Sequence, residues 1–152
     1  MKGIKHLFSR EVRFYGVKIE IGAKYQCNFK KKTIVVPVQK DDFAVFVGFH
    51  ELAHYVLHRG DKRNYDDLLA RIEIEQEADY WANSKMTEYG YKTQCNNSTL
   101  GLIALFVYQG GEYQDFEVEI DGRSIGLFRK GFPEIEIWGN FLSNLPLHPS
   151  PY

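Results

Sequence analysis

The pattern of apolar and polar positions predicts two strands near the start of the chain. Residues 12–21 and 33–38 are rich in β-branched and aromatic side chains, which favour strands. Gly22, Asn28 and the three lysines at 30–32 lie between these segments and are typical of a connection that reverses the chain. We therefore expect a small antiparallel sheet in the N-terminal part.

An apolar run in the middle of the chain carries the start and stop signals of a helix. Asp41 and Asp42 are candidate N-caps before this run, and His58 and Arg59 place basic side chains in the last turn. Gly60 then supplies a typical helix stop. These signals predict a helix of about five turns.

Two further helices are predicted after this one. The first begins within residues 64–67 and ends near Met86, shortly before Gly90. The second is shorter, begins at residue 98 or 99, and ends at Tyr108 ahead of two glycines.

The last part of the chain returns to strand-like patterns. Residues 115–121 alternate between polar and apolar side chains, an Asp-Gly turn follows, and residues 124–128 and 134–138 continue the pattern. This arrangement predicts a three-strand β-meander, followed by a proline-rich, extended tail at 145–152. The meander either covers the helices or contributes to substrate binding.

Length and composition favour one domain. The chain has 152 residues, of which 44% are hydrophobic and 26% charged, and this is enough for a sizeable core. We expect an α+β fold in a single domain of residues 1–152, with its core at 12–110 and a C-terminal β extension at 112–152.

Charge is balanced overall but uneven along the chain. The formal net charge is -1, so we do not expect direct nucleic-acid binding or attraction to a membrane. Residues 1–32 nevertheless contain nine Lys or Arg and only two acidic residues, Glu11 and Glu20. This basic segment is either a solvated edge of the domain or a docking surface for an acidic partner or DNA.

The sequence also favours a cytoplasmic protein. Cys27 and Cys95 are too few and too far apart for a disulfide scaffold. Charges interrupt every apolar run in residues 1–14, so we expect no signal peptide. The longest uncharged stretch, residues 93–111, begins with polar side chains and falls short of a membrane span.

Residues 50–54 form a His-Glu-x-x-His motif within the first predicted helix. Residues four apart lie on one helix face, about 6 Å apart along the axis, so His50 and His54 can bind one zinc ion at about 2.0 to 2.1 Å. Glu51 can reach water at the metal without binding the metal itself, which is what a general base for hydrolysis requires.

A catalytic zinc usually has three protein ligands, and the second predicted helix offers carboxylates for the third. Glu75 and Asp79 lie on a stripe of apolar residues, where a carboxylate needs a partner. Glu77 lies on a second such stripe, so periodicity alone leaves Glu75 and Glu77 as alternatives.

Two features follow the motif directly. His58 lies eight residues after His50, about 12 Å further along the helix axis, which is too far to share the metal. We expect it to interact favourably with the helix dipole instead. The connection at residues 60–64 is either an ordinary surface loop or a mobile element beside the site.

Residues 33–82 resemble the ImmA/IrrE family of zinc metallopeptidases. The resemblance rests on the segments IVVP, FHELAHYVLHRG and IEIEQEADYWA. In that family a strand precedes the His-Glu-x-x-His helix, and a following helix supplies a glutamate in a Glu-x-x-x-Asn or Glu-x-x-x-Asp pattern, which Glu75 and Asp79 match. The resemblance implies a zincin-like (gluzincin) domain that binds Zn through His50, His54 and Glu75, with Asp79 orienting a ligand imidazole.

The resemblance also implies an activity. Members of the family cleave helix-turn-helix repressors and so relieve the repression of mobile-element or stress-response genes. We therefore expect a zinc-dependent endopeptidase whose partner is a protein substrate of this kind. The alternative hypothesis is a catalytically silent, zincin-like interaction module that acts in gene regulation through its basic N-terminal segment.

A peptidase of this class benefits from a donor to the developing oxyanion. Tyr80, Tyr89, Tyr91 and His148 are the candidates, and the sequence does not distinguish among them.

Overall fold

A computed structural model of the chain describes residues 4–94, 96–108, 116–120 and 123–128. It is a mixed α+β structure, as predicted. The elements, in chain order, are α1 (Ile4–Tyr15), β1 (Lys18–Ile21), β2 (Gln26–Asn28), β3 (Thr33–Val36), α2 (Asp42–His58), α3 (Leu68–Glu88), α4 (Asn97–Tyr108), β4 (Phe116–Ile120) and β5 (Arg123–Phe128).

The N-terminal helix α1 corrects the strand prediction for residues 12–21. Only Lys18–Ile21 is a strand, and Val12 belongs to a helix that ends before Gly16. Phe8 and Val12 lie four residues apart on the same helix face, and both are buried in the core. Burial of this face outweighs the strand preference of the β-branched and aromatic residues, because local propensity is weaker than tertiary packing.

The N-terminal sheet has three strands in the order β1-β3-β2 and is mixed rather than antiparallel. The two strands predicted as antiparallel neighbours, β1 and β3, run parallel, with Lys18 opposite Thr33. The antiparallel partner of β3 is the short strand β2, where Cys27 lies opposite Ile34. The turn at residues 28–32 therefore joins β2 to β3, and β1 occupies the other edge of β3.

Helix α2 lies at the centre of the fold, and its predicted bounds are confirmed. The Asp41 side chain caps its N-terminus by accepting a hydrogen bond of 2.8 Å from the Ala44 amide. Gly60, just beyond its C-terminal end, adopts a φ of 85°, which a glycine tolerates best. A side chain at Gly48 would collide with the Phe8 ring, so this glycine permits the close approach of α1.

Helix α3 packs along α2 and carries the acidic residues of the second predicted helix. It begins after Asp67, whose side chain accepts a hydrogen bond from the Ala70 amide, and it ends at Glu88. The third predicted helix corresponds to α4, which contacts α3. The order of these helices is therefore as the sequence predicted.

Strands β4 and β5 form an antiparallel hairpin, which confirms the first two strands of the predicted meander. The third predicted strand at 134–138 and the extended tail lie outside the described residues. In the described ranges, every helix is too short or too polar to cross a membrane.

Candidate metal centre

Helix α2 presents His50 and His54 on one face, as the spacing of the motif predicts. Their Nε2 atoms point toward each other and lie 3.1 Å apart, with the ring planes almost perpendicular. Both side chains are buried.

Glu75 reaches the same point from α3. Its Oε2 lies 2.8 Å from His50 Nε2, and its Oε1 lies 3.3 Å from His54 Nε2. Among the described residues, His50, His54 and Glu75 are the one group of His, Cys, Asp or Glu side chains whose ligand atoms converge in this way. The structure therefore brings together the three residues predicted as ligands, and Glu77 is not part of the group.

The geometry and charge of this group fit a metal ion such as zinc. Four ligands at about 2.0 to 2.1 Å in a tetrahedron lie about 3.3 Å from one another, close to the separations found here. Glu51 and Glu75 are both buried, and a buried carboxylate is stabilised by a nearby positive charge. A divalent cation between the two Nε2 atoms and Glu75 would supply it.

His50 is held from its other side by Asp79, as expected from the Glu-x-x-x-Asp pattern. Its Nδ1 lies 2.7 Å from Asp79 Oδ1. The same carboxylate oxygen accepts a hydrogen bond of 2.9 Å from the Asn96 side chain. Asn96 thus fixes Asp79, and Asp79 fixes the ring that presents Nε2 to the site.

Electrostatics in the site favour charge on both partners of the His50–Glu75 pair. Burial alone would lower the pKa of His50, but the charges of Asp79 and Glu75 raise it well above its usual value. Burial alone would raise the pKa of Glu75, but His54 and His50 lower it well below its usual value. Glu75 is therefore ionised, which is the form that binds a metal, whereas a protonated His50 has to release a proton when it binds one.

His58 is completely buried, and it contacts His54 rather than solvent. The Nδ1 atoms of the two rings lie 3.0 Å apart. Burial, and then the neighbouring His54, lower the pKa of His58 to about 4. The expected interaction of His58 with the helix dipole requires a charged ring, and the lowered pKa leaves this ring neutral near pH 7.

Tyr65 is a site residue that the sequence analysis missed. Its hydroxyl donates a hydrogen bond to Glu75 Oε1, and its side chain is buried. Burial, followed by the charge of Glu75, raises its pKa, so the phenol stays protonated and remains a donor. Arg71 stacks on the ring and donates to the Tyr65 carbonyl oxygen at 2.8 Å.

Three of the four candidate oxyanion donors lie in the described part of the chain. Tyr80 is 72% exposed. The Tyr89 hydroxyl donates to Glu11, and Tyr91 packs against the hydrophobic core. His148 lies outside the described residues.

Glu51, the predicted general base, is buried one residue from His50. Its charge contributes to raising the pKa of Cys27, for which burial is the larger cause, and also that of Tyr65. These effects indicate that the Glu51 carboxylate lies within electrostatic reach of both Cys27 and Tyr65.

The connection at residues 60–64 is tied to α3. Arg63 donates hydrogen bonds of 2.9 and 2.7 Å to the two carboxylate oxygens of Glu77, and it also pairs with Asp61 at 2.6 Å. These contacts hold Glu77 next to His58, whose Nε2 lies 3.7 Å from Glu77 Oε1.

Comparisons of the chain with protein-family models, with curated proteins and with solved structures each find no match. The functional argument therefore rests on the geometry of the residues themselves.

Proposed function

We propose that this protein is a zinc-dependent endopeptidase. The observation that carries the proposal is the convergence of His50, His54 and Glu75 at one buried point, with the adjoining residue Glu51 also buried. Two histidines and one glutamate leave a fourth position for water or substrate, which is the ligand set of many catalytic zinc sites.

In this proposal each residue has a separate task. A zinc ion held by His50, His54 and Glu75 would supply Lewis-acid chemistry, that is, it would polarise a peptide carbonyl and lower the pKa of water. Glu51 accepts a proton from the attacking water and then donates it to the departing amine. Tyr65 and Asp79 hold Glu75 and His50 in place through their hydrogen bonds.

The substrate class comes from the resemblance to the ImmA/IrrE family. It suggests a helix-turn-helix repressor or a similar regulatory protein, and a zincin-like fold of the gluzincin type. The buried free thiol of Cys27 is compatible with a reducing compartment, so we propose that the enzyme acts in the cytoplasm.

Peptide cleavage by zinc-loaded protein tests this function. A helix-turn-helix repressor encoded beside the gene and a peptide library from a digested proteome serve as probes, and mass spectrometry detects new termini. We expect cleavage by the wild type and none by Glu51→Gln, which keeps its zinc because Glu51 is not a ligand. Absence of cleavage by the zinc-loaded wild type, or equal cleavage by the variant, would contradict the proposal.

The burial of the site favours a second candidate function, the silent interaction module. His50, Glu51, His54 and Glu75 are each at most 4% exposed, so a bound metal would be largely screened from solvent. A module of this kind would use zinc to stabilise the fold and would bind its partner elsewhere. It predicts that Glu51→Gln retains full biological activity, whereas the peptidase proposal predicts its loss.

A further inference from the structure

The three predicted ligands each contact a further buried or half-buried side chain, and the contact of His54 is unusual. Asp79 contacts His50, and Tyr65 contacts Glu75, so those partners are a carboxylate and a phenol. The partner of His54 is another imidazole, that of His58.

We propose that His58 is a positioning residue for metal binding, which fixes the ring of His54 by accepting a hydrogen bond from its Nδ1–H. This inference rests on the zinc site proposed above. His58 is not a metal ligand. By accepting a hydrogen bond from Nδ1–H of His54, it favours the tautomer of His54 that binds the metal through Nε2.

The positions of the protons follow from the geometry. An imidazole that binds a metal through Nε2 carries its proton on Nδ1. His54 Nδ1 lies 3.0 Å from His58 Nδ1, and only one proton fits between two nitrogens at that distance. Since His54 donates this proton, His58 Nδ1 is the acceptor, and the neutral His58 ring carries its own proton on Nε2.

The far side of His58 suits this arrangement. Its Nε2 faces Glu77 Oε1 at 3.7 Å, a distance at which the carboxylate attracts an N–H group electrostatically. Arg63 donates a hydrogen bond to each carboxylate oxygen of Glu77 and so fixes the position of this negative charge. Glu77, His58 and His54 thus form a line from the protein surface to the metal centre.

This line extends a common feature of zinc proteins. A ligand histidine usually donates its second N–H to a carboxylate or carbonyl oxygen, which orients the ring and raises its basicity. Here a second imidazole, that of His58, takes the place of the oxygen acceptor, and the Glu77 carboxylate lies 3.7 Å beyond it. The sequence analysis left Glu77 as an alternative third ligand. In the structure Glu77 is not a ligand but lies next to His58.

Nitrogen-15 NMR of the zinc-loaded wild type tests the inference without any substitution. Long-range proton–nitrogen spectra identify which nitrogen of each ring carries a proton. We expect His54 to be protonated on Nδ1 and metal-bound on Nε2, and His58 to be protonated on Nε2 alone. A His58 ring protonated on Nδ1 would overturn the inference.

Two substitutions test the effect on metal affinity. His58→Asn places an amide oxygen near the position of Nδ1 and retains the acceptor, whereas His58→Leu fills the space without one. We expect His58→Leu to bind zinc about 10- to 100-fold more weakly in competition with a chelator. His58→Asn should stay within about threefold of the wild type, and its cobalt-substituted form should keep the visible spectrum of the wild type.

The outcomes separate this inference from the proposed function. Zinc affinity of His58→Leu equal to that of the wild type, or an equal loss in both variants, would overturn the role of His58 while leaving the zinc site intact. Failure of the wild type to bind zinc would overturn both. If His58→Leu does not fold, the NMR result for the wild type decides the matter.

Discussion

Asp79 Oδ1 lies 2.7 Å from His50 Nδ1, although the two residues are 29 positions apart in the chain. This contact joins α3 to the face of α2 that carries the His-Glu-x-x-His motif. It orients the Nε2 atom of His50 toward Glu75 and His54, and several predictions about the site depend on it.

Removal of the Asp79 charge should weaken zinc binding. Asp79→Asn keeps the shape of the side chain but loses the negative charge that holds the His50 imidazole. We expect the zinc affinity to fall about 10- to 100-fold, as measured by competition with a chelator. Asp66→Asn is the matched control, because the Asp66 side chain is 89% exposed and should leave the affinity unchanged. Wild-type affinity in Asp79→Asn would contradict the assigned role.

The Tyr65 hydroxyl should matter for the same reason. Tyr65→Phe keeps the buried ring and its contact with Arg71 but removes the donor to Glu75 Oε1. We expect about a tenfold loss of zinc affinity, since Glu75 loses the hydrogen bond that orients it. Tyr89→Phe also removes a tyrosine hydroxyl bonded to a carboxylate, that of Glu11, but outside the site. Equal effects of the two changes would argue against a specific role for Tyr65.

Cys27 should be unreactive in the folded protein. Burial, and to a smaller extent the charge of Glu51, raise its pKa well above the usual range, so the nucleophilic thiolate is scarce. A Cys95→Ser variant isolates this thiol. We expect no reaction with a disulfide reagent until denaturant unfolds the chain, followed by one thiol per chain. Rapid reaction of the native variant would contradict the buried position of Cys27.

The ion pair between Asp61 and Arg63 should stabilise the metal-free protein above about pH 4. Hydrogen bonds from Arg63 lower the pKa of Asp61 from its ordinary 3.8 to about 2. A lowered carboxyl pKa stabilises the fold above its unfolded value and loses this effect as the pH falls through its folded value. Allowing for solvent screening, the expected contribution is about 1 kcal/mol.

Urea unfolding of the wild type and Asp61→Asn measures this contribution. The difference in the free energy of unfolding should be present at pH 7 and should shrink between about pH 4 and pH 2. A difference that stays constant across this interval would mean that the charge of Asp61 does not contribute.

The helices of the site could be predicted because their signals are local. Asp41 and Asp67 cap α2 and α3 through hydrogen bonds to backbone amides three residues away. Gly60 and the spacing of His50 and His54 are equally local features. Each of these helices can be predicted because the residues that determine its ends and its faces lie within a few positions of one another.

The errors have non-local causes. Helix α1 depends on the packing of Phe8 against α2 at Gly48, 40 residues later. The parallel pairing of β1 with β3 depends on β2 occupying the other edge. Neither the packing of Phe8 at Gly48 nor the pairing of β1 with β3 can be predicted from local residue preferences.

The same limit applies in part to the residues around the ligands. Tyr65 lies in the connection between α2 and α3 and bonds to Glu75, ten residues later on α3. Nothing in its immediate sequence distinguishes Tyr65 from the other tyrosines. His58 is the last residue of α2 and contacts His54 because the two lie four residues apart on one helix face, a local relationship that the sequence analysis did not use. The choice between Glu75 and Glu77 likewise required the resemblance to a family, and it then became visible as a difference in position.

Zinc per chain is the most direct test of the central claim. Elemental analysis is applied to the wild type and to Glu75→Gln and Glu73→Gln, all purified without added metal and then measured again after equilibration with zinc. Glu73 is a suitable control because it lies on the same helix and is 42% exposed. We predict about one zinc per chain in the wild type and in Glu73→Gln, and clearly less in Glu75→Gln. A wild type that is metal-free and fails to take up added zinc would contradict the account.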